Sequence, residues 1–175
     1  MPSVPRGMSL DHGSSVAAPG RQQPVLVVRP YDERIRSRVF HAMEQAGGSF
    51  SDEDQIPTGT GDEQAIQWVL RHPARILLVP FHGHRAEDGH SLDGLHFLVR
   101  LHQAASGTFP WRVVMPYSRF AAAAVDLRVR SRNYEREYPR ELREALLLLS
   151  EDDLDRPDVA TRIAAHLFVR DGARR

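Results

Sequence analysis

No cysteine occurs in the 175 residues. That removes disulfides, thiolate nucleophiles, cysteine-ligated zinc and iron–sulfur clusters, and it suits an intracellular protein. Lysine is absent as well, because all 23 basic residues are arginine. Schiff-base chemistry, a P-loop lysine and any ammonium group set against a phosphoryl oxygen are thereby excluded. Neither sign of charge is in excess, since 23 acidic residues match the 23 basic ones, and a chain without net positive charge is poorly suited to nucleic acid. No apolar run approaches the roughly 20 residues of a membrane span, and the N-terminus lacks the apolar stretch of a secretory signal. What remains, 41% hydrophobic and 26% charged, describes one globular domain of ordinary size, expected in the cytoplasm and away from membranes.

Residues 1–23 carry Pro2, Pro5, Pro19, Gly7, Gly13 and Gly20 among serine and alanine. No period there could bury a face, and a disordered leader is expected. From Pro24 the texture changes. Val25-Leu-Val-Val28 is a short continuous apolar run, the mark of a strand buried on both faces of a parallel sheet. Asp32 and Glu33 open a helix through Ile35, Val39, Phe40 and Met43, stopped by Gly47-Gly48. The polar stretch 49–61 is poorly patterned, and a second strand is placed around Phe50 or Ile56. Asp62 is expected to cap a helix over 63–72 with Ile66, Val69 and Leu70 inward. Arg75-Ile-Leu-Leu-Val-Pro80 then repeats the buried-strand pattern.

After a loop rich in His, Asp and Gly, the spacing predicts a helix over 92–105, a strand over 111–115 and a short helical segment over 120–124. Val125, Leu127 and Val129 alternate with Asp126, Arg128 and Arg130, which predicts a strand at the sheet edge. A helix over 138–149 and a further amphipathic one over 158–169 complete the chain. Strand and helix alternate throughout, so the expected class is α/β, a parallel sheet covered on both sides, with the last helix an extra.

In order and spacing, four phrases resemble the response-regulator receiver family: Val25-Leu-Val-Val28 followed by Asp32 to Arg36, residues 65–79, Asp93-Gly-Leu95, and Arg112-Val-Val-Met115. The resemblance covers about residues 24–150, and residues 151–175 would form a C-terminal helical extension. It implies a flavodoxin-like (CheY-like) three-layer sandwich on a five-stranded parallel sheet. It also implies a phosphoacceptor Asp after the third strand, acidic Mg²⁺ ligands after the first, a Ser or Thr after the fourth and a Lys after the fifth. Carboxylates concentrate a hard cation, and the cation with the ammonium offsets charge on the transferring phosphoryl group. Here the phosphoacceptor place falls on Pro80 and the acidic place on Arg29 and Pro30, with Asp32 and Glu33 two residues on. The hydroxyl place falls on Tyr117 or Ser118 according to register, and no Lys exists to fill the last. The resemblance therefore implies a degenerate, phosphorylation-independent pseudo-receiver, non-enzymatic and without a cofactor, that signals by binding another protein.

Two further features stand out. Residues 82–93 hold His82, His84, Asp88, His90 and Asp93 where the carboxyl ends of parallel strands form a ligand crevice. His82 and His84 share one side of an extended chain, and Asp88, His90 or Asp93 could complete three or four ligands for Zn²⁺ or another transition metal. This gives the alternative reading of a metal-binding or hydrolytic α/β protein using His82, His84, Asp88 and His90. Arg128, Arg130 and Arg132 fall at i, i+2, i+4 of the expected edge strand, followed by Tyr134 and Tyr138. Such a stripe could grip an acidic protein surface, whether a different protein or a second copy in a homodimer.

Overall fold

The computed structural model describes residues 22–28, 33–57, 59–81, 84–85, 91–131 and 133–168. Residues 1–21 of the expected leader lie outside them, whereas Gln23 already belongs to the first strand. The elements run β1 (Gln23–Val27), α1 (Glu33–Gln45), β2 (Gly48–Ser49), α2 (Asp62–Arg71), β3 (Ile76–Leu78), β4 (His84–Arg85), β5 (Ser91–Leu92) and α3 (Gly94–Ala104). They continue with β6 (Arg112–Tyr117), α4 (Ala122–Val129), α5 (Tyr134–Glu137), α6 (Arg140–Ala145), β7 (Leu146–Ser150) and α7 (Val159–Leu167). Five strands pair in the order β2-β1-β3-β6-β7, all parallel. That is the flavodoxin-like order of doubly wound sheets.

Successive strand side chains point to opposite faces, and both faces are apolar. Val25, Val27, Ile76, Leu78, Val114 and Leu149 meet Val39 and Met43 of α1 and Ile163 and Leu167 of α7. Leu26, Val28, Leu77, Val79, Val113 and Met115 meet Ile66 and Val69 of α2, Leu98 and Leu101 of α3 and Leu142 of α6. The central strands read as unbroken apolar runs because neither face sees water.

Several expectations need correction. The second strand lies at Gly48–Ser49, not at Phe50 or Ile56. Gly48 is there because a Cβ would come within 2.9 Å of Val25 Cγ2, so no β-branched residue could announce the strand. The cap of α2 is Gly61; Asp62 is its first helical residue, 5% exposed, with Arg100 Nη1 at 3.4 Å from its carboxylate.

The larger correction is an exchange of types. Residues 125–129, read as a strand, belong to helix α4, and residues 146–149, read as helix, open strand β7. Alternation misled because Val125 is buried but Leu127 is 76% exposed, while the alanine run before them is the strongest helix former. Leu146 to Leu149 have high helix propensity, yet pairing with β6 overrides it. The C-terminal helix thus follows the fifth strand and packs on α1, completing one face of the sheet instead of standing beside it.

His166 fixes that helix from its last turn, with Nε2 2.9 Å from the Ala145 carbonyl. Burial pushes this imidazole below its ordinary value. The unfolded chain therefore takes up the proton first, so His166 contributes stability above its ordinary value that is lost as pH falls through the depressed one. Between about pH 7 and pH 5 the urea midpoint is expected to fall, and less steeply in His166→Gln. Ile163→Ala is expected to cost about 2–5 kcal/mol in urea unfolding. A cost under about 0.5 kcal/mol, that of an ordinary surface change, would mean that α7 is not part of the core.

Candidate functional site

The carboxyl ends of β1, β3, β6 and β7 form one crest, where doubly wound sheets bind ligands. At its centre the ladder continues past β3: Val79 N–H donates to Val114 O at 3.0 Å and Phe81 N–H to Pro116 O at 3.2 Å. Pro80 sits on this crest and is buried, between Val79 at 0% and Phe81 at 1% exposure. Whichever of the three is taken as the end of β3, no carboxylate stands there. Arg29, Pro30 and Asp32 lie outside the described residues. Glu33 opens α1, and its side chain is likewise outside them.

The histidine loop closes on itself at the crest. Gly94 N–H donates to Phe81 O at 2.8 Å, and a Cβ on Gly94 would run into the Pro80 carbonyl, so only glycine allows the two chain ends to meet. Between them His84 pairs antiparallel with Leu92 and Arg85 with Ser91. His82, Asp88 and His90 lie outside the described residues, as does the side chain of His84. Among the described residues no three His, Asp or Glu side chains gather where a metal ion could sit.

On the β7 side the crest is ionic. Tyr117 stands beside Ser150 across the β6–β7 ladder, and its phenol, hydrogen-bonded to the Ser150 side chain, is raised above its ordinary value by burial and then by Asp153. Ser118 follows it and flanks the 3-10 turn of residues 119–121. Ser150 donates to Asp153 Oδ2 from its N–H (2.9 Å) and its hydroxyl (2.7 Å), and Arg162 Nη1 donates to Asp153 Oδ1 at 2.7 Å. Burial pushes the Asp153 carboxyl up, but Arg162 and the Ser150 hydrogen bonds outweigh it and hold the group below the usual carboxylate range.

Around this centre Arg38 Nη2 donates to Glu151 O at 2.8 Å and Asp155 Oδ1 at 2.6 Å, and Arg119 Nε donates to Asp152 Oδ1 at 2.7 Å. The acidic run 152–155 is thus tied to α1, to α7 and to the turn after β6. Ser150-x-x-Asp153 is the spacing of a capping box and was the one available signal. Because β7 is the fifth strand, the place after it falls on Ser150 and Glu151, not at the end of α4.

The arginine stripe does not form. On a helix, residues two apart lie on different faces, and both described arginines are paired. Arg128 Nη2 meets Asp93 Oδ2 at 2.7 Å, while Asp93 Oδ1 caps α3 through the His96 N–H at 2.8 Å. Arg130 pairs with Asp126 at 2.7 Å, and Arg132 lies outside the described residues. Tyr138 is 2% exposed; its phenol is pushed up to about 12 by burial, against the pull of Arg128. Its ring lies 4.6 Å from that of Tyr134, which is half-buried. What this part of the surface presents instead is apolar: Phe120 at 95% exposure in the 3-10 turn before α4 and Leu127 at 76% on α4 itself, with the exposed Ala123 and Ala124 between them in the chain.

Asp153→Asn is expected to cost about 1–3 kcal/mol, since it weakens charge-assisted hydrogen bonds in a part-buried site. The wild-type carboxyl, lowered in the fold, contributes stability above its ordinary value that is lost as pH falls through the lowered one. The variant should therefore unfold with a flatter acid limb; equal acid limbs in both proteins would show that the Asp153 pairs contribute nothing.

No family model and no curated protein matches the chain. Among solved structures, it is similar to the signal receiver domain of a protein described as a Luxo repressor from Vibrio parahaemolyticus. The two are 16% identical over 83% of this chain and 89% of that one, with a TM-score of 0.47.

Proposed function

We propose that this chain is a receiver-like signalling domain that regulates through contact with another protein and without phosphorylation. The observation that carries the reading is the buried Val79-Pro80-Phe81 sequence at the end of β3, where phosphoryl transfer to an aspartate would need a carboxylate. The absence of lysine anywhere in the chain supports it, as do the four receiver-like phrases, three of whose apolar runs lie on β1, β3 and β6, the adjacent central strands of a five-stranded sheet in flavodoxin-like order. In this reading there is no catalytic step and no cofactor, and the cytoplasm is the setting. Among the described residues no helix is long and apolar enough to cross a membrane.

The surface that suits a protein partner is the outer face of α4 together with the 3-10 turn that leads into it. Exposed apolar side chains grouped on one helix face are what a helix or groove of a second protein covers. Phe120 and Leu127 supply the area, and Arg119 and Arg130 stand at the two ends of that face.

Incubation with acetyl phosphate and Mg²⁺, followed by intact-mass measurement, tests the reading. The expected result is an unchanged mass. A stable phosphate adduct on Asp88 or Asp93 would overturn phosphorylation independence.

A further inference from the structure

The outer face of α2 carries an aromatic side chain that the sheet does not use. Gln64, Gln67, Trp68 and Arg71 fall at i, i+3, i+4 and i+7, one helix face, and Trp68 is 39% exposed there. With Glu63 and Pro73 they line a groove of about 480 Å³. Glu63 at one end takes Arg100 Nη2 at 2.8 Å yet keeps 73% of its side chain exposed. Arg71 at the other end has no ion pair among the described residues.

The sheet register points to what covers this groove. Val25 stands beside Ile76, and continuing that register three residues back along each chain puts Gln22 beside Pro73, at the Arg71 end. The 21 residues before Gln22 therefore enter the fold next to the groove. They include the apolar Val4, Met8 and Leu10, together with Arg6 and Asp11.

We propose that residues 4–11 dock along the outer face of α2, with Met8 and Leu10 against the Trp68 indole, Asp11 opposite Arg71 and Arg6 opposite Glu63. Chain direction sets this order. The segment reaches the groove from the Pro73 end, so the residue nearer Gln22 lies nearer Arg71, and both charge pairs are then complementary. Spacing agrees too. Glu63 and Arg71 are eight helical residues apart, about 12 Å, less than the roughly 16 Å that residues 6–11 cover when fully extended. That leaves slack for a bend before Asp11 that turns its carboxylate to the side of Arg6, Met8 and Leu10. Residues 12–21 span up to about 33 Å, ample for the return to Gln22. Methionine suits the task, since its flexible thioether packs favourably on aromatic rings. The docked segment is an intramolecular strap over α2, and it stands or falls independently of the phosphorylation reading.

Acrylamide quenching of tryptophan fluorescence in the full chain tests the strap. Trp111 is 4% exposed and shielded from the quencher, so the response belongs to Trp68. Asp11→Arg or Arg71→Asp alone is expected to raise the Stern–Volmer constant about twofold, and the two together to restore the wild-type value, as coupled partners do. Met8→Ser with Leu10→Ser should raise it likewise. Equal quenching in the wild type and all variants would overturn the proposal, and so would a double exchange as accessible as the single ones. Wild-type quenching that falls as protein concentration rises would also overturn it, assigning the groove to a second copy of the chain.

Discussion

Burial of a parallel sheet on both faces is the constraint on which this chain depends. A parallel strand cannot return by a tight turn, so each of β2, β3, β6 and β7 is reached by a crossover that lays helix across the sheet. Alternate residues of every central strand then need apolar cover on opposite sides. One side is met by α2, α3 and α6 with Val125 of α4, and the other, among the described residues, by α1, α7 and Leu154 of the turn after β7. α7 supplies Val159, Ile163 and Leu167 to that face, so its loss would uncover apolar strand residues there. The same geometry brings the carboxyl ends of the strands to one crest, so whatever residues terminate them are placed together whether or not they have a task.

At this crest the terminating residues divide the surface into two kinds. The centre is apolar and close-packed, with Pro80 and Phe81 buried and the Gly94 backbone pressed against them. The β7 flank is a lattice of paired charges that ties residues 150–155 to α1, α7 and the turn after β6. A switch needs an element with two arrangements of similar free energy. Tethering one short segment to three separate elements raises the free energy of every alternative arrangement, because each would break several charge-assisted hydrogen bonds together. Such tethering favours one arrangement of this flank over its alternatives.

The fold was legible wherever burial dictated sequence. The apolar runs at 25–28, 76–79 and 113–115 had no other use than fully covered strands, and the stripes of α1, α2 and α3 followed from their period. Legibility failed where two patterns compete. Four leucines in a row satisfy a buried strand and a helix equally, and only the neighbouring β6 backbone decides for the strand. Val125, Leu127 and Val129 alternate as a strand would, but the period counts only if the alternate residues are buried, and Leu127 is not. At the crest the sequence Val79-Pro80-Phe81 could be placed at the end of β3 by counting residues, because the apolar run before it fixes the strand. The ion-pair lattice could not, since Arg38, Arg119, Arg162 and the acidic run are distant in sequence and meet only after the chain has folded.

The reassignment of one strand also changes the chemistry by which the domain can meet another molecule. As an edge strand, residues 125–132 would present guanidinium groups in a row, and recognition would be electrostatic and open to screening. As helix α4 and its C-cap the same residues pair Arg128 at the surface with Asp93, whose other oxygen caps α3, and pair Arg130 with Asp126. Phe120 and Leu127 are left outward. Among the described residues Arg38, Arg100, Arg119, Arg128 and Arg162 join separate elements through their guanidinium groups, a task that planar, multidentate donors do well. Among the described residues the large apolar side chains that the core leaves outside are Phe120 in the turn before α4, Leu127 on α4, Trp68 on α2 and Phe168 after α7. Leu127 and Trp68 stand on different helices, so the partner proposed for the one face and the strap proposed for the other would not compete for the same surface.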